Sequence, residues 1–109
     1  MAQMGEKLLS GLCEMVSYAG GARSSYILAV QAAKECNEEE CVRRYMEGDE
    51  LLQKAHDIHY EILSMESAQL EKTFEISIFL VHVEDQFMAA ESFRIMAAEF
   101  IDLYKLVKR

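Results

Sequence analysis

No proline occurs in the 109 residues, and only five are glycine. Proline breaks a helix interior because it lacks the N–H and its ring strikes the preceding turn, whereas turn-rich β folds lean on proline and glycine. A chain of this kind points to long helices. Its length suits one domain, with a real core but only a modest fraction of surface buried in the absence of partners. Half of the chain (51%) is hydrophobic, which opposes disorder. Nineteen acids against 11 bases give a formal charge of −8. That balance argues against a nucleic acid or an anionic membrane surface as partner, since both require basic surface.

No stretch reaches the ~20 apolar residues of a membrane span. The uncharged run Ile76 to Val83 is short and contains His82. The N-terminal residues hold Glu6 and no basic lead into a long apolar region, so they do not read as a signal peptide. Cys13, Cys36 and Cys41 are odd in number and form no C-x-x-C, which favours reduced thiols and a cytoplasmic location. Cys36 and Cys41 flank an expected turn and are read as small buried hydrophobes rather than a redox pair.

Apolar periodicity divides the chain into three helices, about 6–36, 38–64 and 74–107, in one domain spanning 1–109. In the first, Leu8, Leu12, Met15, Val16, Ala19, Tyr26, Val30 and Ala33 recur at helical spacing, with Gly20 and Gly21 marking a place to bend or fray. Asn37 followed by Glu38, Glu39 and Glu40 reads as the cap and first turn of the second helix. His59 falls within its apolar stripe and His56 on the flank, and Met65 to Lys72 reads as the next connection.

The third helix is apolar around most of its circumference. Ile78, His82, Asp85, Ala89, Phe93, Met96, Phe100 and Leu103 form one stripe; Ile76, Phe79, Leu80, Val83, Phe87, Ala90 and Ile101 form another side. Only a narrow strip of Glu84, Glu91, Arg94, Asp102 and Lys105 is polar. Such a helix must be covered on several sides. The expected fold is all-α, an up-down-up antiparallel three-helix bundle (spectrin-repeat-like), assembling as an oligomer through its third helices.

His82, Asp85 and Gln86 stand at i, i+3 and i+4, neighbours on one helix face among apolar residues. A satisfied polar cluster that sets register explains them as well as a functional site does. A histidine kept neutral by apolar surroundings is also a competent nucleophile toward phosphorus. Copies of Asp85 gathered around a symmetry axis would need a cation or protons. His56-x-x-His59 is a weak metal signal without a third ligand at defined spacing. The absence of any E-x-x-H counts against a di-iron bundle. A non-catalytic helical oligomer and a metal-binding interaction protein therefore stand as alternatives to a phosphocarrier.

The run Leu80-Val81-His82-Val83-Glu84-Asp85-Gln86-Phe87-Met88 resembles the L-V-H-x-x-D-H-x-M signature of the lactose/cellobiose-type enzyme IIA of the bacterial phosphoenolpyruvate-dependent sugar phosphotransferase system. Ala19-Gly20-Gly21-Ala22-Arg23-Ser24 is similar to that family's A-G-x-A-R-S, and Ala32-Ala33-Lys34, Ala55-His56 and Ile62-Leu63 fit its spacing. The resemblance runs from about Leu9 to Lys108. It implies a homotrimer and a phosphocarrier whose His82 accepts a phosphoryl group from phospho-HPr. The group then passes to a cysteine of enzyme IIB during uptake of a lactose/cellobiose-type β-glycoside. It implies that Asp85 holds a structural divalent cation, magnesium by expectation, on the trimer axis. Two departures fall in the site: Gln86 stands where the family usually has a second His, and His59 where it usually has Gln. Gln86 and His59 are the candidates for lining the phosphoryl groove. The net charge opposes an incoming phosphoryl group, so the groove is expected to be less acidic than the whole, with Arg or Lys at its rim.

Overall fold

The computed structural model describes residues 5–67 and 77–108. They form three α-helices: α1 (Glu6–Lys34), α2 (Glu38–Ser67) and α3 (Ile78–Val107). There is no strand among the described residues. The all-α fold is as the periodicity predicts. Ser25 against Glu47 and Tyr18 against Lys54 show α2 running antiparallel to α1. Asp49 against Arg94 and His59 against Glu84 show α3 running antiparallel to α2. The topology is therefore up-down-up.

The helix ends have local chemical causes. α1 stops two residues before the predicted Cys36. The N–H of Asn37 donates to the Ala32 carbonyl (2.8 Å) and that of Cys36 to the Ala33 carbonyl (3.0 Å), the paired bonds of a Schellman ending. That ending needs a left-handed residue, and Cys36 supplies it with φ 64°. A side chain in that conformation costs about 1 kcal/mol, and glycine is the usual occupant. One residue on, Asn37 caps α2 as predicted, its Oδ1 accepting from the Glu40 N–H at 3.2 Å. The next start is displaced from the expectation. Ser77 is extended (φ −130°, ψ 161°) and its Oγ accepts from the Leu80 N–H at 3.0 Å, so α3 begins at Ile78 rather than Phe74. No acid follows Ser77 in the first turn to mark this cap. α2 runs through Met65 to Ser67, into the predicted connection. The rest of that connection, and the predicted helical residues Phe74 to Ile76, lie outside the described residues. Gly20 and Gly21 do not interrupt α1. A Cβ on Gly21 would stand 3.2 Å from Leu51 Cδ1, so tertiary packing supports this stretch where propensity is weakest.

α1 is the shared element, packed along both α2 and α3, while α2 and α3 meet largely through long side chains. Leu8, Leu12, Met15 and Ala19 of α1 pack with Ala55 and Ile62 of α2 and with Val83, Phe87 and Ala90 of α3. Further along, Ala22 and Tyr26 meet Ala97, and Ala29 and Ala32 meet Cys41 and Ile101. Every one of these residues is buried.

The middle of the bundle is pinned by one polar network. Tyr26, fully buried, donates its hydroxyl to Asp49 Oδ1 at 2.6 Å. Arg94 donates from Nε to the same oxygen at 2.7 Å, tying α3 to α2. Tyr45 donates to the Arg94 carbonyl at 3.2 Å, and its ring stands 5.0 Å from that of Tyr26. Burial, with the hydrogen bond to Asp49 next, pushes the Tyr26 hydroxyl well above the usual tyrosine range. The Asp49 hydrogen bond raises Arg94 further, so both partners stay protonated at any physiological pH. Ser25, also buried, donates to Glu47 Oε1 at 2.8 Å and thereby lowers that carboxyl's pKa.

Gly48 permits this arrangement, because a Cβ there would lie 2.6–2.9 Å from three Tyr26 ring atoms. Gly48→Ala is expected to lower stability by about 1–3 kcal/mol through overpacking, read as a lower urea midpoint with an unchanged slope. Tyr26→Phe is expected to cost about 1–2 kcal/mol near neutral pH. A raised folded pKa contributes stability that is full below the unfolded value, about 10, and is lost as pH rises beyond it. Unfolding midpoints measured between pH 8 and 11 should therefore fall for the parent above about pH 10 and stay flatter for Tyr26→Phe.

Candidate functional site

The three histidines occupy two different sides of the bundle. His82 lies in the second turn of α3 on its outer face and is exposed. Asp85 is one turn further on and exposed, and Gln86, beside it, is half-buried. Neither His82 nor Asp85 is held by a hydrogen bond or ion pair among the described residues. Ser77, Ile78, Val81, His82 and Asp85 line an open concavity of about 460 Å³. It holds an imidazole and a carboxylate, with the Ser77 hydroxyl and the apolar side chains of Ile78 and Val81 beside them. No Arg or Lys of the expected rim is among the described residues of this lining.

The stripe that carries His82 lies largely outside the subunit core, with Phe93 packed against it. Ile78 is 90% exposed, and Val81, Met96, Phe100 and Leu103 are also exposed. The opposite side of α3, with Val83, Phe87, Ala90 and Ile101, is the side buried against α1 and α2. A polar cluster satisfied inside the subunit is thereby excluded for His82 and Asp85. Among the described residues, every buried side-chain N or O has a hydrogen-bond partner.

His59 has a different setting. Its Nε2 lies 2.9–3.0 Å from both carboxylate oxygens of Glu84, and its ring rests 4.7 Å from that of Phe87. Glu84 follows His82 by two residues, about 200° around the helix, and so faces α2 rather than the outer concavity. The narrow polar strip of α3 is thus the side turned to α2: Glu84 reaches His59 and Arg94 reaches Asp49. His56 is exposed and lines a shallow groove with Gln53, Glu91 and Arg94, its ring 6.1 Å from Phe87. No group of three or more His, Cys, Asp or Glu side chains able to hold a metal ion exists among the described residues. His56-x-x-His59 accordingly stays without a third ligand.

The thiols divide likewise. Cys41 is buried as predicted, but Cys13 and Cys36 are exposed. Cys36 is turned outward by the left-handed backbone of the α1–α2 link, which periodicity alone does not reveal. The Tyr26–Asp49–Arg94 network also escapes sequence reasoning. Its members are separated by up to 68 positions in the chain, and no local motif joins them.

The three-helix fold is shared with solved enzyme IIA proteins of the sugar phosphotransferase system. Residues 11–105 match the family described as "PTS system, Lactose/Cellobiose specific IIA subunit", and the chain belongs to that family. It is 34% identical over 104 residues to the lichenan-specific phosphotransferase enzyme IIA component of Bacillus subtilis (strain 168), covering 95% of this chain and 93% of that protein. It is 32% identical over 92 residues to the oligo-beta-mannoside-specific EIIA component of the same organism, covering 84% and 82%. Its structure superposes with a TM-score of 0.86 and 34% identity on the crystal structure of the cellobiose-specific enzyme IIA from Bacillus anthracis, covering 97% of this chain and 94% of that one. No helix among the described residues is long and apolar enough to cross a membrane.

The His59–Glu84 contact is partly exposed, with side-chain exposures of 21% and 40%. Solvent screening therefore limits its worth, and a double-mutant cycle through His59→Gln and Glu84→Gln should return a coupling below about 1 kcal/mol.

Proposed function

We propose that this chain is a cytoplasmic phosphocarrier in which His82 accepts a phosphoryl group from phospho-HPr and delivers it to a cysteine of the cognate enzyme IIB. The observation that carries this reading is the exposed, unpaired His82 imidazole on an apolar wall, within the family's signature and apart from the core. In-line attack by an unprotonated His82 nitrogen forms one P–N bond as the bond to the donor imidazole breaks. In the second step a thiolate of enzyme IIB attacks phosphorus, a P–S bond forms, and His82 leaves. Such a transfer between two imidazoles depends on positioning and on donors to the phosphoryl oxygens more than on an acid–base pair. Gln86, one turn beyond His82, supplies an amide N–H for that purpose without titrating. Ile78 and Val81 keep the wall beside the phosphoryl group apolar.

The exposed α3 face supports assembly as a homotrimer through third helices. Ile78, Val81, Met96, Phe100 and Leu103 make a run of apolar surface along the helix that a monomer would leave in water. Asp85 fits a shared cation site because it is exposed on that face and has no partner among the described residues. One chain offers a single carboxylate there, so three chains would supply the oxygen ligands. A bound divalent cation, magnesium being suited to such oxygens, would neutralise the carboxylates it gathers. In this reading His59 braces α2 against α3 through Glu84, behind the groove. The relatives named for lichenan and oligo-β-mannosides support a β-linked saccharide as the transported sugar.

The test is incubation with phosphoenolpyruvate, enzyme I and HPr. The parent should take up one acid-labile phosphoryl group per chain. His82→Ala, verified as helical by circular dichroism, should take up none, although His56 and His59 are still present. Acid-labile label on His82→Ala would refute the assignment of the acceptor.

A further inference from the structure

A second reactive feature lies at the far end of the bundle, where the α1–α2 link meets the end of α3. Ala33, Cys36, Glu38, Cys41, Tyr104, Lys105 and Lys108 line a cavity of about 340 Å³ there. It is about 35 Å along α3 from His82, counting 23 residues from His82 to Lys105. The phosphocarrier chemistry makes no use of it.

Three features single out the two thiols. First, they occupy the positions just before the Asn37 cap and four residues into α2. These two positions bracket the start of α2, and both side chains line the same cavity. Second, Cys36 takes the left-handed conformation (φ 64°) that glycine fills more cheaply, so local stability does not account for a thiol there. Third, the cavity places one exposed and one buried thiol beside two ammonium groups. Burial pushes the Cys41 thiol up; Lys105 acts against that and Glu38, in the same lining, adds to it.

We propose that Cys36 and Cys41 form a peroxide-responsive thiol pair, with Cys36 the thiol attacked first and Cys41 the one that resolves it into an intramolecular disulfide. The Cys36 thiolate attacks a hydroperoxide oxygen; the O–O bond breaks, leaving Cys36 as a sulfenic acid and releasing hydroxide. The Cys41 thiolate then attacks the Cys36 sulfur, the S–O bond breaks, and a second hydroxide departs. Those two hydroxides take up the protons given by the two thiols. With hydrogen peroxide, two thiols and one peroxide thus give one disulfide and two waters. Lys105 and Lys108 line the same cavity as both thiols. Cys13, exposed on α1 and away from this cavity, is the internal comparison.

Cleavage after Lys34 and Arg43 releases both thiols on a single tryptic peptide, residues 35–43. The full-length protein would be treated with a slight excess of hydrogen peroxide, blocked with N-ethylmaleimide, digested and analysed by mass spectrometry. The expected product is the 35–43 peptide lighter by two hydrogens and free of maleimide, restored to a doubly alkylated form by dithiothreitol. Cys41→Ala, which keeps the site small and apolar, should divert Cys36 to the sulfinic acid or to a mixed disulfide. Both thiols alkylated after peroxide would overturn the proposal. So would Cys36 recovered chiefly as a sulfinic acid in the parent, or joined to Cys13. Disulfide closure scored on this peptide is independent of His82 labelling, so either reading can fail alone.

Discussion

The structure turns on a mismatch of surface: α3 is apolar on more sides than α1 and α2 can cover. The chain resolves this by burying Val83, Phe87, Ala90 and Ile101 and leaving Ile78, Met96, Phe100 and Leu103 outside. Burial of apolar area is the dominant favourable term in folding, so the half left uncovered is available for association. His82 belongs to that outer half. Its position follows from the same partition that makes the core, since residues about 200° apart on one helix cannot both face inward.

The covered half is organised around α1. Small residues, Ala19, Ala22, Ala29 and Ala32, let both neighbours approach it closely, whereas α2 and α3 stay far enough apart to be bridged by long polar side chains. This explains why the polar strip of α3 is tied to a partner instead of being merely solvated. Arg94 and Glu84 span the gap to Asp49 and His59. The Tyr26 hydroxyl joins that network from within the core, and Gly48 is the space that admits its ring. Among the described residues, every buried side-chain N or O behind α3 has a hydrogen-bond partner.

His59 illustrates how a departure from a family pattern acquires meaning only in space. On the sequence it is one of two candidates for the phosphoryl groove. In the bundle it is engaged with Glu84 and Phe87 on the α2 side of α3, and Gln86 is the candidate that shares the His82 side. The acidic net charge is similarly redistributed. Glu84 is turned away to His59, and Asp85 is the one acid among the described residues lining the His82 concavity. No Arg or Lys stands among the described residues that line it.

From the sequence alone came the helical class, the number and order of helices, the Asn37 cap and the placing of His82 and Asp85 on one stripe. All are local properties: they follow from residue spacing within one helix, or from a side chain bonding its own backbone. The apolar excess of α3 was equally legible, because counting around a helical wheel needs no neighbour. The tertiary structure decided which of the two apolar sides of α3 is core, and so that His82 faces outward. It alone paired Tyr26 with Asp49 and Arg94, sent His59 to Glu84, and turned Cys36 out of the core while keeping Cys41 within it. Those outcomes depend on where residues dozens of positions apart come to lie and on one left-handed link, and no periodicity along a single segment encodes them.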